Sequence, residues 1–400
     1  MKILFVSYSD GGGGAAKAIF NLYKSFRYNS KNKLLVIDKR QNDKKISLYQ
    51  SGFLGKVFRR LRYLIAQVIF LNQKFYVMSL NLIYSGLTKY INNSIYEIIN
   101  FHWVNCESIS ISEIKKINKP IVWTLHDMWP ISGIYHYELD KKYFNEETKS
   151  NLKKKYFNYL DQLTSKRKKI LFNQKKIHLV SPSKWLLEKA KKTKLPFGEM
   201  EVIPNPINVS LYKKRKNIRL LKKKYKVPNN KKILLYSSLK LDDRRKGFNI
   251  IKKIIKDKKF NDHVFLFFGI NNLINKNDFS DKIIFINETY NENQINEIYS
   301  IADVLLFPSI IDNFPNTLLE AMSCNLPCVA FNCYGMKEII THKKNGYLAK
   351  PYSAEDFIKG IEYILLNKQN FFSIRKEVVK NYSYKKINSR YKKFFKMIKN

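Results

Sequence analysis

Short apolar runs with strand character alternate with helix-patterned segments along this 400-residue chain, and the alternation occurs twice. The first series opens with Lys2–Tyr8 and continues through Lys33–Ile37, Ile95–Phe101, Pro120–Leu125 and Ile177–Ser181, with helical spacing over Ala15–Phe26. Near residue 200 the pattern resets. A strand at Glu201–Ile203 is followed by Pro204-Asn205-Pro206, which stiffens and punctuates the chain. Residues 213–232 are strongly basic and read as a solvated connector. The second series then runs through Ile233–Ser237, Val264–Phe268, Ile283–Ile286, Val304–Phe307 and Cys328–Phe331, with helices at Phe248–Ile255, Glu292–Ser300 and Thr317–Ser323. Strands that alternate with helices form parallel sheets covered on both faces. The expected fold is therefore α/β, with two Rossmann-like, doubly wound parallel-sheet domains facing across a cleft. Residues 1–203 form the first, 204–375 the second, and 376–400 a C-terminal helix packing back on the first.

Hydrophobic residues make up 45% of the chain, enough to fill two cores. The formal net charge is +42. Such a surface suits anionic partners, either nucleotide phosphates or lipid headgroups. A globally Lys-, Asn- and Ile-rich composition gives the same count with no functional meaning, and both readings stand at this point. No motif interleaves basic and aromatic residues as a nucleic-acid site would, so nucleic acid is not an expected partner. Cys106, Cys324, Cys328 and Cys333 lack the spacing of a zinc site or a disulfide framework and read as core thiols. Residues 2–8 form a strand rather than a signal-peptide core, and no long uncharged apolar stretch is present. The expected location is cytoplasmic. Residues 53–90, with Arg59, Arg60 and Arg62 set among Phe and Leu, read as a basic amphipathic segment. That segment either places the chain peripherally on the inner face of the plasma membrane or packs on the first sheet as an ordinary helix.

Four constellations carry the chemistry. Gly11-Gly12-Gly13-Gly14 joins a strand to a helix, where free N–H groups can meet phosphate. Gly11-x-Gly13-x-x-Ala16 followed by Asp38 also fits a dinucleotide fingerprint, which keeps a nicotinamide oxidoreductase open as an alternative. Thr124-Leu125-His126-Asp127-Met128-Trp129-Pro130 ends a strand, where ligands of open α/β sheets sit. There, His126 and Asp127 can bond a polar ligand, Trp129 can stack on a sugar, and His136 and Tyr137 can line the same crevice. Lys240-Leu241-Asp242-Asp243-Arg244-Arg245-Lys246-Gly247 sets cations before a helix, as a diphosphate would need. The most specific is Asp312-Asn313-Phe314-Pro315-Asn316-Thr317-Leu318-Leu319-Glu320. It is a strand–loop–helix element whose two carboxylates are eight positions apart and can take sugar and ribose hydroxyls.

This last element resembles the E-x7-E motif of the retaining glycosyltransferase family 4 of the GT-B fold, with Asp312 in place of the first Glu. Together with His126-Asp127-Met128-Trp129-Pro130 it is similar to a capsule and exopolysaccharide sub-group. The resemblance implies a hexosyltransferase that uses a nucleotide-diphosphate sugar donor and a saccharide or lipid-linked saccharide acceptor. It implies that Glu320 binds ribose, and that Asp312 meets the donor sugar beside Asn313, Phe314, Pro315, Asn316 and Thr317. Arg245 and Lys246, or Lys240 where the family's first basic residue is shifted, hold the diphosphate. Gly12, Gly13 and Gly14 close over it, and His126 lies near the hexose. No Asp-x-Asp motif is present, and no metal or other cofactor is expected. A GT-B-fold epimerase or a non-catalytic partner subunit is the alternative from the same fold.

Overall fold

The computed structural model describes residues 1–26, 31–50, 53–71, 78–148, 150–238, 243–269, 282–287, 291–371 and 373–399. It divides into two units: Met1–Asn205 with Ile387–Asn400, and Pro206–Lys386.

The first unit is built on seven parallel strands: β1 (Ile3–Ser9), β2 (Lys33–Asp38), β3 (Ile46–Leu48), β4 (Ile98–Phe101), β5 (Ile121–Thr124), β6 (Ile177–Ser181) and β7 (Met200–Val202). Their spatial order is β3-β2-β1-β4-β5-β6-β7. β1 is apolar almost throughout because both its faces are covered, the normal condition of a central parallel strand. One face meets the helix Gly14–Phe26 and, from Ile387 on, the C-terminal helix. Phe5, Phe26, Tyr391 and Phe395 pack there, with Phe5 and Phe26 ring centroids 5.4 Å apart. The other face is filled by Leu4, Val6, Ile99, Phe101 and Trp123.

The second unit has six parallel strands: β8 (Lys232–Ser237), β9 (His263–Phe268), β10 (Ile283–Ile286), β11 (Val304–Phe307), β12 (Cys328–Phe331) and β13 (Gly346–Ala349). The order is β10-β9-β8-β11-β12-β13, the doubly wound Rossmann order. The chain direction across each sheet reverses once, between β1 and β4 and between β8 and β11. These are the positions where ligands of such sheets bind.

Three features differ from the sequence reading. β3 and β13 were not expected. Both are outer strands of three and four residues, too short and too mixed in polarity to show a period. The expected break after residue 375 falls inside a helix, Ile374–Tyr382, that belongs to the second unit; the segment that joins the first unit begins at Ile387. That helix is fixed by Arg375, whose guanidinium donates to the carbonyls of Val209 (2.6 Å) and Ser323 (2.7 Å) and so closes the end of the helix Asn316–Ser323. The four cysteines are free, and burial pushes their thiols up, Cys106 to about 12.

Phe395 is fully buried against β1. Phe395→Ala should lower the urea-unfolding free energy of the first unit by about 3–5 kcal/mol. The exposed Lys396→Ala serves as a control and should change it little.

Candidate functional site

In the second unit, the ends of β8 and β11 are locked to each other. After β8 the chain turns at Gly247, with φ of 67°, before the helix Phe248–Lys256 begins. A Cβ at this position would lie 2.0 Å from the carbonyl oxygen of Pro308, just past β11. Only glycine meets both demands. The Ile310 amide donates to the Arg245 carbonyl at 2.7 Å, and the Tyr236 hydroxyl to the Lys246 carbonyl at 3.3 Å. This backbone contact delivers Lys246 to Asp312, with Nζ 3.1 Å from Oδ2, in a partly exposed ion pair.

The loop carrying Asp312 is braced from the other side by Gly335. Its amide donates to the Asp312 carbonyl at 3.1 Å, and a Cβ there would fall 1.6 Å from the Asn313 carbonyl oxygen. Phe314 packs on Tyr382. The helix Asn316–Ser323 then starts at Pro315, which caps it with no side-chain hydrogen bond. Its first turn, Asn316 and Thr317 included, presents the N–H end of a helix. Glu320 is buried, and its Oε2 accepts from the Tyr299 hydroxyl at 3.1 Å. Burial, with Glu320 adding to it, raises Tyr299 well above its usual value, so Tyr299 remains a donor.

Arg245 is placed differently from its expected role. Its fork is held on the Asp243 carboxylate, with contacts of 3.0 and 2.9 Å. Burial acts to raise Asp243, but the Arg245 and Lys246 charges outweigh it and hold the acid below its ordinary range. Lys246 is therefore the cation that reaches Asp312, with Arg245 one residue away and neutralised by its own acid. Lys240 lies outside the described residues.

In the first unit, Gly12 has φ of 82°, and Gly13 and Gly14 open the helix Gly14–Phe26. A Cβ on Gly13 or Gly14 would meet nothing within 4 Å. Packing among the described residues gives no steric reason for glycine at these two positions. Asp38, the acid of the dinucleotide alternative, accepts from Arg40 Nε at 2.8 Å. The Arg40 guanidinium lies against Gly12.

His126 is fixed by a relay that the sequence reading missed. Asn100 on β4 donates from Nδ2 to the Val122 carbonyl at 3.0 Å, and a carbonyl can only accept. This turns Asn100 Oδ1 toward His102 Nε2, 3.0 Å away, so that nitrogen carries the proton. Burial, reinforced by His126, holds His102 well below the histidine range and neutral, so its Nδ1 is a lone pair. His126 Nε2, 2.8 Å from it, must therefore donate. Burial lowers His126 to about 4, against a slight opposing pull from Asp127. The ring is neutral at pH 7, and its Nδ1 is left as a hydrogen-bond acceptor.

Asp127, Trp129 and His136 face inward, contrary to the expected crevice. Asp127 accepts from His136 Nδ1 (2.6 Å), Trp103 Nε1 (2.8 Å) and the Trp129 amide (3.0 Å). Burial opposes its ionisation, but His136 and these donors hold it below its usual value. Trp129 is fully buried, so it has no face for a sugar. Lys168 Nζ sits 3.6 Å from its ring centroid, and its indole N–H donates to the Ser79 carbonyl. Among the described residues no three His, Cys, Asp or Glu side chains converge as a metal site.

Residues 217–386 match the family model described as Glycosyl transferases group 1. The match covers most of the second unit, Pro206–Lys386. Over the whole chain the fold is GT-B. Sucrose-phosphate synthase from Thermosynechococcus elongatus superposes with a TM-score of 0.71 at 15% identity, over 100% of this chain and 99% of that one. The Anabaena protein HepE, crystallised with UDP-glucose, superposes with a TM-score of 0.69 at 16% identity, over 99% and 100%. Among curated sequences, an uncharacterized glycosyltransferase of Haemophilus influenzae is 30% identical over 139 residues, covering 32% of this chain and 38% of that protein. The N-acetyl-alpha-D-glucosaminyl L-malate synthase of Bacillus anthracis is 26% identical over 162 residues, covering 39% and 41%. The match thus spans about two fifths of these relatives' length.

The relay gives a spectroscopic expectation for this glycosyltransferase-fold chain. In protein labelled with 15N-histidine, His126 should show a protonated Nε2 and a bare Nδ1 at neutral pH; a protonated Nδ1 would contradict the relay. The folded value lies below the ordinary one, so the unfolded chain takes up the proton first on acidification. Stability from this pair is complete above about 6.5 and is lost as pH falls toward about 4. Urea midpoints across that window should fall less steeply for His126→Asn than for the wild type.

Proposed function

We propose that this chain transfers a hexose from a nucleotide-diphosphate sugar, with retention of configuration, to a saccharide or lipid-linked saccharide acceptor in surface polysaccharide biosynthesis. The observation that carries the reading is the Lys246–Asp312 pair at the β8/β11 reversal, inside a unit that matches the group 1 family. HepE holds UDP-glucose on the same fold, which makes UDP-sugars the first donors to test.

In this reading the diphosphate lies over the N-terminus of Asn316–Ser323 and against Lys246. It exchanges with Asp312 for part of the lysine charge. Glu320 takes the ribose hydroxyls, and Asp312 the donor sugar. The bond from the anomeric carbon to the leaving phosphate oxygen breaks. The acceptor hydroxyl attacks that carbon from the same face, and its proton passes to the departing phosphate oxygen. Lys246 and the helix dipole stabilise the charge that develops on the diphosphate, so neither a metal nor a protein base is called on. In the first unit, His126, neutral and offering Nδ1, is able to accept from a hydroxyl of a bound sugar. Gly13 and Gly14 admit phosphate close to the backbone. The reaction belongs on the cytoplasmic side, where nucleotide-sugars are made.

Thermal unfolding with a panel of nucleotide-sugars tests the binding half, and hydrolysis or transfer of the donor that protects tests the chemistry. Glu320→Gln keeps the buried shape and one oxygen for Tyr299. It should weaken donor binding by roughly tenfold, about 1.4 kcal/mol. Lys246→Ala should lower kcat by roughly 10²–10³-fold, as for a lost charge-stabilising group. Protection that survives Glu320→Gln unchanged would sink the ribose assignment. Donor turnover to an epimer, with no transfer, would move the chain to the alternative reading.

A further inference from the structure

The helix Phe53–Ile69 is built inside out for a soluble protein. Its packed face is narrow and carries its smallest and most polar residues: Gly55, Arg59, Arg62 and Ala66. Arg62 is buried, and Arg59 donates to the Tyr49 and Gln50 carbonyls at 3.3 Å. The buried acids Glu107 and Glu113 favour the Arg62 charge, while burial opposes it. The outer face carries the large apolar side chains. Phe53, Leu54, Phe58, Leu61, Leu64 and Val68 are exposed, Phe53 at 79% and Val68 at 69%. At 3.6 residues per turn these six fall within one arc of about 140°. Lys56 and Arg60, both exposed, flank the arc on one side. From Lys44 to Tyr96 the chain has no acidic residue. A buried face held by arginine and backbone carbonyls, with an apolar face left exposed among the described residues, is the reverse of an ordinary surface helix.

We propose that Phe53–Ile69 is a bilayer-docking helix that lies in the interface of an anionic membrane. Its apolar arc enters the acyl boundary, and Lys56 and Arg60 lie at the headgroups. Three observations favour lipid over a protein partner. The arc offers no hydrogen-bonding side chain for a specific interface to use. It is continuous along the helix from Phe53 to Val68, as an interfacial helix is. Its charged flank is basic, and the sequence from Lys44 to Tyr96 carries no acid, which is complementary to anionic headgroups. Among the described residues no helix is long and apolar enough to cross a membrane, so the contact is peripheral. The inference stands independently of the transferase reading, because it concerns binding to lipid alone.

The test is flotation of the full chain with vesicles of phosphatidylcholine mixed with phosphatidylglycerol, and with phosphatidylcholine alone. The chain should float with the mixed vesicles, less so at high salt, and poorly with phosphatidylcholine alone. The double variant Phe58→Asp/Leu61→Asp changes only exposed positions and should lose flotation at least tenfold, with circular dichroism and melting temperature unchanged. Lys56→Gln/Arg60→Gln should lose severalfold on the anionic vesicles. No flotation with mixed vesicles, or flotation indifferent to Phe58→Asp/Leu61→Asp, would overturn the proposal. So would a lipid-free dimer that the same variant converts to monomer, because a second copy would then cover the arc.

Discussion

The candidate donor site depends on one close approach, that of Gly247 to the Pro308 carbonyl. Parallel strands β8 and β11 are neighbours in the sheet but distant in sequence, and each ends in a loop with its own preferences. Because Gly247 has no Cβ and adopts a positive φ, the two loops can touch through their backbones. The Arg245 carbonyl then receives the Ile310 amide, and Lys246 is brought within 3.1 Å of Asp312. Gly335 braces the same loop from the β12 side. A cation, a carboxylate and a helix N-terminus are thereby held by backbone contacts between the loops, the positioning that stabilising a departing diphosphate requires.

The first unit solves a different problem, that of polar groups inside an apolar sheet. Asn100, His102 and Asp127 are all buried, and each has a partner. The Asn100–His102 relay fixes the tautomer of His126 without giving it a charge. The Asp127–His136 pair, with Trp103 and the Trp129 amide, holds the turn that carries His126. Buried polar networks of this kind are stable only when complete, and the order of donors and acceptors leaves His126 one outcome: an acceptor nitrogen.

Much of the architecture was legible in the sequence because central parallel strands are apolar on both faces and stand out as runs. β6, β10, β11 and β12 fall where Ile177–Ser181, Ile283–Ile286, Val304–Phe307 and Cys328–Phe331 read as strands. β3 and β13 were not legible, since ISL and GYLA are short and mixed in polarity, whereas the equally short outer strand β10, IIFI, stands out as an apolar run. In the site, the strand–loop–helix context of Asp312–Glu320 was legible, and the roles expected of its residues came from the family resemblance. The inward turn of Trp129 was not, because its face is taken by Lys168 from a helix 39 residues later in the chain. Nor was the pairing of Arg245 with Asp243, although the two are only two residues apart; in so basic a run nothing marks which cation is already neutralised. The signal for the His126 relay was present but unread. Asn100, a polar residue in an otherwise apolar strand, is followed by His102 and Trp103 at the end where ligands bind. For Phe53–Ile69 the amphipathic pattern was plain, but its orientation was not, since arginines normally face water.

The central claim is that the nucleotide diphosphate is held by the second unit at the β8/β11 reversal. Hydrogen exchange of the full chain, with and without the nucleotide diphosphate that most raises its melting temperature, tests this directly. The account predicts that protection is concentrated in peptides covering residues 243–248 and 310–320. Protection confined to the first unit, around residues 9–16, with no change at 310–320, would contradict it.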